Sequence, residues 1–389
     1  MSEISYAAQL PAGVRSRMVR NNNGLDMHVL DAGYEEPGRP AVLLLHGFPE
    51  LAFSWRKVIP FVASQGFHVI APDQRGYGLT TGWDGRYDGD LDEFRMANLV
   101  QDVLGLVSAQ GYRSVEAVIG HDFGSPVAAY AALIRPDVFR AVVMMSSPFG
   151  GPPQMPLGSV EDARETPAAS ALSSRSIHDD LAALVRPRKH YQWYYSTREA
   201  NDDMWRCPQG VHDFLRAYYH HKSADWAANN PVPLEGWVAS EIARLPTYYV
   251  MDQAKNMAET VAEEMPGQDA IDNCEWLSEA ELSVYSGEYE RIGFQGGLQW
   301  YRCMTSPHFS GQLRLFSGRT IDVPAMFIAG RRDWGIYQKP GDIENMQSTA
   351  CTDFRGCHLI ERAGHWVQQE QPAEVNGHIG AFLDGLGKN

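Results

Sequence analysis

The sequence predicts an α/β fold: a mostly parallel central sheet with helices on both faces and an inserted helical cap. Three observations carry this. Apolar runs of strand length alternate with segments of helical spacing early in the chain, and sheet character returns near its end. One of those runs ends in a tight turn, Gly120-His121-Asp122-Phe123-Gly124, that leads directly into a helical segment. Between the two sheet-forming parts, from about Ser176 to Pro307, the chain reads as helix rich in Tyr and Trp with no alternation of period two.

The elements follow in order. Leu25 to Leu30 alternates weakly and reads as an early strand, and Pro40 to Leu45 is a continuous apolar run, the pattern of a strand buried on both faces. It ends in His46-Gly47-Phe48-Pro49-Glu50, which places backbone N–H groups at the carboxyl end of the sheet, where α/β folds build their sites. Phe67 to Ala71 is a further buried strand, leading into a structured, non-catalytic loop, Pro72 to Gly78. Asp92 to Gln110 has helical spacing, with Leu99, Val103, Leu106 and Val107 on one face. Val115 to Ile119 is the strand before the turn, and Ser125 to Ile134 the helix after it, with Pro126 in its first turn, where a missing N–H costs nothing. Ala141 to Met145 is the next strand.

The character then changes. Pro148 to Pro156 is dense in Gly and Pro, and a Ser/Ala/Arg-rich stretch runs on to about Ser176. In the helical block that follows, Val211, Phe214, Leu215, Tyr218 and Tyr219 share one face, as do Ala254, Met257, Ala258, Val261 and Met265. Ser278 and Glu281 form a capping box. Strands return at Ala325 to Ala329 and near His358 to Glu361, and Glu374 to Leu386 closes the chain as an amphipathic helix. The expected division is a first core part at 1–147, a cap at 148–318 and a second core part at 319–389.

Composition bounds the function. A formal net charge of −15 over 389 residues argues against nucleic acid or an anionic membrane as partner. Five cysteines without C-x-x-C spacing suggest neither a zinc site nor a disulfide framework. No basic segment followed by an apolar core opens the chain, and no apolar run approaches the roughly 18 residues that span a bilayer. A cytoplasmic protein is the expectation, and a homo-oligomer is allowed.

The turn at Asp122 decides the chemistry. A small-x-nucleophile-x-small sequence between strand and helix forms a nucleophile elbow, which thrusts its central side chain out above the sheet. A Ser there attacks carbonyl carbon, whereas an Asp can displace a leaving group at saturated carbon and form an alkyl ester. Asp333, in Gly330-Arg331-Arg332-Asp333-Trp334, and His365, in Ala363-Gly364-His365-Trp366, each closely follow an expected strand. Nucleophile, acid and base thus occur in the order of the α/β-hydrolase pattern.

Taken together, the chain resembles the soluble epoxide hydrolases of the α/β-hydrolase family. His46-Gly47-Phe48-Pro49 is similar to that family's oxyanion segment, whose proline follows a cis bond; residues 120–124 are similar to its nucleophile motif, and Gly364-His365-Trp366 to its base motif. The likeness covers roughly residues 20–150 and 320–385 and reaches the insertion only in patches. Phe123 stands where many members have Trp, and Leu51-Ala52 where members often have Ser-Trp, which implies a more open pocket wall there. Gln299-Trp300-Tyr301-Arg302 and His190-Tyr191-Gln192-Trp193-Tyr194-Tyr195 resemble the segments that carry the family's two lid tyrosines. That makes Tyr301 and Tyr191 the expected proton donors, with Tyr194 or Tyr195 as substitutes for the latter.

The resemblance implies a two-step reaction. Asp122 opens the epoxide while the tyrosines protonate its oxygen. Water activated by His365, itself oriented by Asp333, then cleaves the ester against the amides of Phe48 and Phe123. His46, Pro49, Trp193, Trp300, Trp334 and Trp366 are the expected pocket residues, and no metal or organic cofactor is called for. A dehalogenase or ester hydrolase on the same scaffold and a non-catalytic ligand receptor stay open as alternatives. No Arg follows Asp122 to bind a substrate carboxylate, as fluoroacetate chemistry would need.

Overall fold

In the computed structural model, which describes residues 9–155 and 176–387, the strands are β1 (Arg15–Asn22), β2 (Leu25–Ala32), β3 (Ala41–Leu45), β4 (His68–Pro72), β5 (Ala117–His121), β6 (Val142–Met145), β7 (Arg188–His190), β8 (Val250–Asp252), β9 (Ala325–Gly330) and β10 (Phe354–Ile360). Eight of them form one sheet in the order β1-β2-β4-β3-β5-β6-β9-β10. The two pairings at the β1 end are antiparallel and all the others parallel. Every residue of β3, β4, β5, β6 and β9 is buried. Strands covered on both faces have no solvent side for a polar residue to occupy, which is why their sequences read as unbroken apolar runs.

The edges differ from the sequence reading. β1 was not expected there, because it is polar: Arg15 and Arg17 extend from it to the buried Asp31 of β2, at 2.7 and 2.9 Å, and cross-strand ion pairing leaves no hydrophobic period. β10 begins at Phe354, earlier than expected, because this half-buried edge strand has a register shift between Phe354 and Cys357 that disguises its start. The segment from Asp92 to Gln110 is also not one helix. A 3₁₀ turn (Asp92–Phe94) is followed by an extended Arg95 and then by α1 (Met96–Ala109), which buries Leu99, Val103, Leu106 and Val107 as anticipated. α1 packs with α2 (Gly124–Ile134) against the sheet, and α3 (Pro372–Leu386), opened by its proline, packs near β10.

Among the described residues between β6 and β9 the chain is mostly helical, and Val211, Phe214, Leu215, Tyr218 and Tyr219 are all buried on the helix Gly210–Lys222. Two expectations for this block need correction. β7 and β8 pair antiparallel, and at three residues each they are too short to show a period of two. Ala254 and Met265 fall outside the helix Met257–Ala262 and are exposed, because Asn256 and Glu259 cap its start within the supposed face. The capping box of Ser278 and Glu281 is present on the helix Glu279–Ile292. The Ser/Ala/Arg-rich stretch lies almost wholly at 156–175, outside the described residues.

This block is locked down on the sheet. A Cβ on Gly296 would lie 2.0 Å from the Gly76 carbonyl oxygen and one on Gly76 would lie 2.6 Å from the Gly296 carbonyl carbon, so the two backbones touch only because both residues are glycine. That contact seats the helix Gln295–Thr305, and Trp300 Nε1 donates to the Arg75 carbonyl at 2.9 Å. On the other side the buried Arg56 donates to Glu281 and Gln369, both at 2.7 Å.

The loop after β4 is a structural anchor. Asp73 Oδ1 accepts the Ala52 N–H at 2.8 Å, and Oδ2 accepts the Leu79 N–H at 3.1 Å and His28 Nδ1–H at 2.7 Å. Burial pushes the carboxyl up, but the charge and hydrogen bond of His28 outweigh it and bring the pKa to about 2 from an ordinary 3.8. Asp73→Ala should therefore cost about 3 kcal/mol in urea unfolding at neutral pH, because it leaves buried donors without their acceptor. The sign is that of a depressed carboxylate: the stabilisation is present above the unfolded value of 3.8 and is lost as pH falls toward 2. The variant should accordingly lack part of the wild type's acid destabilisation. A variant as stable as the wild type at neutral pH would refute the anchoring role.

Candidate active site

Asp122 sits at the end of β5 with φ +50°, the left-handed region that residues other than glycine seldom occupy. Its N–H donates to the Met145 carbonyl at 3.1 Å, and its carbonyl accepts the Ser125 N–H at 3.1 Å, so both flanks hold the strained residue in place. The small neighbours are obligatory. A Cβ on Gly120 would lie 2.1 Å from the Gly124 carbonyl oxygen, and one on Gly124 would lie 2.2 Å from that of Leu45.

Three loops at the carboxyl ends of the strands converge on this carboxylate. From the loop after β3, the Phe48 N–H donates to Asp122 Oδ1 at 2.9 Å. From the loop after β10, His365 Nε2 lies 3.0 Å from Asp122 Oδ2. His365 Nδ1 lies 3.1 Å from both oxygens of Asp333, which follows β9 and also accepts the Gly335 N–H at 2.7 Å. Phe48–Pro49 is a cis peptide, as the resemblance implied. Among the described residues, the Phe48 amide bonds the resting carboxylate and the Phe123 amide does not.

The charges of this cluster are interdependent. Burial pushes Asp122 up, but the bond to His365 and the charges of His365 and Lys222 hold it well below the usual carboxylate range. Asp333 is likewise lowered: burial opposes ionisation, and the charge and hydrogen bond of His365 overcome it. For His365, burial and the Lys222 charge push downward, and Asp333 and Asp122 outweigh them, so the imidazole lies above its ordinary value. The arrangement is an ionised carboxylate pinned at one oxygen by an amide and flanked at the other by an oriented base.

Above Asp122 opens a cavity of about 310 Å³ whose walls include Leu99, Phe123, Pro126, Phe149, Met304 and Leu313. Tyr191 and Tyr301 reach it from the helical block, with ring centroids 5.8 Å apart, and Tyr301 also stands edge-on to Phe123 at 5.2 Å. Tyr191 Oη donates to Gln338 at 3.1 Å. Burial, and after it the Asp122 charge, raises both phenols well above their ordinary pKa, so both stay protonated donors at neutral pH. Tyr194 and Tyr195 are turned elsewhere: Tyr194 donates to Asp203 at 2.7 Å and Tyr195 to Tyr218 at 3.3 Å.

Of the expected pocket residues, Trp300 lines the cavity and the others do not. His46 braces the loop after β3, with Nε2 accepting the Gln74 N–H at 3.0 Å. The Pro49 carbonyl accepts Tyr219 Oη–H at 3.0 Å, and Trp366 Nε1 donates to the Tyr219 carbonyl at 2.8 Å. Trp193 packs outward against His178, with centroids 4.3 Å apart, and Trp334 is buried beside Asp333. Leu51 and Ala52 are fully buried and line none of the cavity, so the more open wall expected there does not arise.

Sequence reasoning gave no role to four further residues around the site. His121 Nδ1 lies 2.5 Å from Glu50 Oε2, and its Nε2 lies 2.7 Å from the His365 carbonyl, bracing the base loop from behind. Both residues lie inside motifs already singled out, which is the signal that could have found them. Gln338 and Lys222 lie in no motif, and only the packing brings them here.

The profile of the alpha/beta hydrolase fold family matches residues 40–372. Epoxide hydrolase B of Mycobacterium tuberculosis (strain ATCC 25618 / H37Rv) is 32% identical over 376 residues, covering 95% of this chain and 98% of that protein. Epoxide hydrolase A of the same strain is 33% identical over 378 residues, covering 96% and 99%. Among solved structures, an epoxide hydrolase from an endophytic Streptomyces superposes with a TM-score of 0.75 at 29% identity, over 97% of this chain and 98% of that one. Epoxide hydrolase A from Mycobacterium thermoresistibile superposes at 0.70 with 30% identity, over 96% and 98%.

Proposed function

The chain belongs to the epoxide hydrolases of the alpha/beta hydrolase fold, and from this we propose that it converts an epoxide and water to a vicinal diol through a covalent ester on Asp122. The observation that carries the reading is one cavity floored by an ionised aspartate and overhung by two protonated phenols. An epoxide oxygen leaves as an alkoxide and needs an acid, whereas a halide needs none, so paired donors opposite the nucleophile favour epoxide opening over dehalogenation.

In the first half-reaction Asp122 Oδ2 attacks an epoxide carbon. Oδ1 stays on the Phe48 amide, and Tyr191 and Tyr301 hydrogen-bond the epoxide oxygen, one of them giving up its proton. Opening the ring moves the bonding pair to that oxygen and leaves a hydroxyalkyl ester. In the second half-reaction His365, oriented by Asp333, takes a proton from water, which attacks the ester carbonyl. The negative charge that develops on Oδ1 is met by the Phe48 and Phe123 amides. As the bond from the ester carbon to Oδ2 breaks, the His365 imidazolium gives its proton to the departing Oδ2, which leaves as the new hydroxyl of the diol. Residues 1–147 and 319–389 would supply the nucleophile, base and amides, and a cap at 148–318 the acids.

A single turnover in ¹⁸O-labelled water, with enzyme in excess over styrene oxide, tests this. Label should enter the peptide containing Asp122, and the first-formed diol should carry none, because its new oxygen comes from the carboxylate. Label in the first diol would mean direct attack by water, with Asp122 acting only as a general base.

A further inference from the structure

Lys222 is the last residue of the helix Gly210–Lys222, and it is 2% exposed. Its ammonium lies among four aromatic faces, with Nζ 5.4 Å from the centroid of Tyr218, 5.8 Å from Tyr248, 5.0 Å from Tyr249 and 5.3 Å from Trp366. Ring faces stabilise a cation without neutralising it, so such a cage holds a full positive charge out of water. The helix end also touches the base directly. The Lys222 carbonyl accepts the His365 N–H at 2.9 Å, and a Cβ on Gly364 would lie 2.7 Å from that carbonyl oxygen and 2.5 Å from the Ser223 carbonyl carbon. Glycine at 364 is what allows the base loop to sit against this helix end.

Resting on the two-step reading above, we infer that Lys222 is a positioning residue for the hydrolytic half-reaction: a caged internal cation that leaves His365 neutral, and so able to accept the water's proton, once Asp122 has become an ester. The argument is a charge count. In the resting site Asp122 and Asp333 are negative and Lys222 positive, so one proton on His365 balances the buried cluster. Alkylation turns the Asp122 carboxylate into a neutral ester, and the phenol that protonated the epoxide oxygen regains its proton from His365, so neither tyrosine keeps a charge. Lys222 then balances Asp333 alone, and an imidazolium between them becomes an uncompensated buried charge, which is strongly disfavoured. Without Lys222, Asp333 would hold the proton on His365 after alkylation, and a protonated imidazole is no base.

The other groups that face Lys222 do not undo this count. From its own helix come the phenol of Tyr218 and the adjacent His221, whose imidazole burial and then the His220 and Lys222 charges push down to about 3. Tyr248 and Tyr249 face it from the turn before β8, both phenols raised well above their ordinary value by burial. Burial lowers the lysine, and the charges of Asp122, Asp333 and Glu50 on three sheet loops oppose that by favouring its charged form. Glu50 is already paired with His121 at 2.5 Å.

The test follows the decay of the preformed alkyl-enzyme by stopped-flow tryptophan fluorescence as a function of pH, in Lys222→Met, Lys222→Gln and Lys222→Arg, with folding checked by thermal melts. Removing the charge should move the acid limb of the decay rate upward by roughly one pH unit or more and slow decay near neutrality about tenfold. Lys222→Arg should keep the limb close to the wild type. A folded Met or Gln variant with an unshifted limb overturns the inference, and so does an Arg variant displaced as far as they are, since that would assign the effect to packing. Failure of the two-step reading would look different: no alkyl-enzyme would form in any variant, wild type included.

Discussion

His365→Gln is expected to alkylate once and stop, with steady-state turnover falling by ~10⁴-fold or more. Asp122 is already ionised, with Oδ1 on the Phe48 amide, and needs no base to attack. The ester, by contrast, can be cleaved only by water that has lost a proton, and Gln has a similar reach but cannot take one. Incubation with a substrate the wild type consumes should add one equivalent of mass, localised to the peptide containing Asp122. Asp333→Asn should stall less completely, by about 10²-fold, because the imidazole stays in place with its orientation and charge support weakened. A His365→Gln protein that remains unmodified would sink this division of labour and move His365 into the first step.

The second large effect is expected at the phenols. Tyr301→Phe and Tyr191→Phe should each slow alkylation by roughly 10²-fold, the usual loss for a positioned acid, and the double variant should retain little activity. Only hydroxyls are removed from rings that remain packed against Phe123, Tyr195 and each other, so melting temperatures should hardly change. Rapid-quench measurement of the alkyl-enzyme isolates the affected step, and its decay should be spared. A double variant that opens epoxides within tenfold of the wild-type rate would remove the tyrosines as donors and favour a leaving group that departs unprotonated.

Much of the fold was legible because its signals are local. Buried parallel strands must be apolar throughout, as β3, β5 and β9 are, and the elbow must have small residues flanking Asp122 because Gly120 and Gly124 have backbone oxygens within 2.1 and 2.2 Å of where a side chain would begin. Nonlocal signals were lost. β1 is fixed by Arg15 and Arg17 on the buried Asp31, and β7 with β8 by a pairing of three-residue segments some sixty residues apart, neither of which leaves a periodic trace.

The candidate site divides along the same line. The sequence by itself determined which residues could act: a carboxylate at an elbow, an acid and a histidine each following a strand, and tyrosines in the inserted helices. Their chemistry depends on residue type and local register, both of which are written in the chain. Only the tertiary structure decided which tyrosines share a cavity with Asp122, that Tyr194 and Tyr195 turn to Asp203 and Tyr218, and that Trp366 and His46 do not line that cavity. It alone brought the Lys222 ammonium into a cage of rings beside the base. Those outcomes depend on how a helical block packs on a sheet, through contacts such as Gly76 on Gly296 that join residues more than two hundred positions apart. Burial and electrostatic coupling arise only from such packing, and no local pattern of residues encodes them.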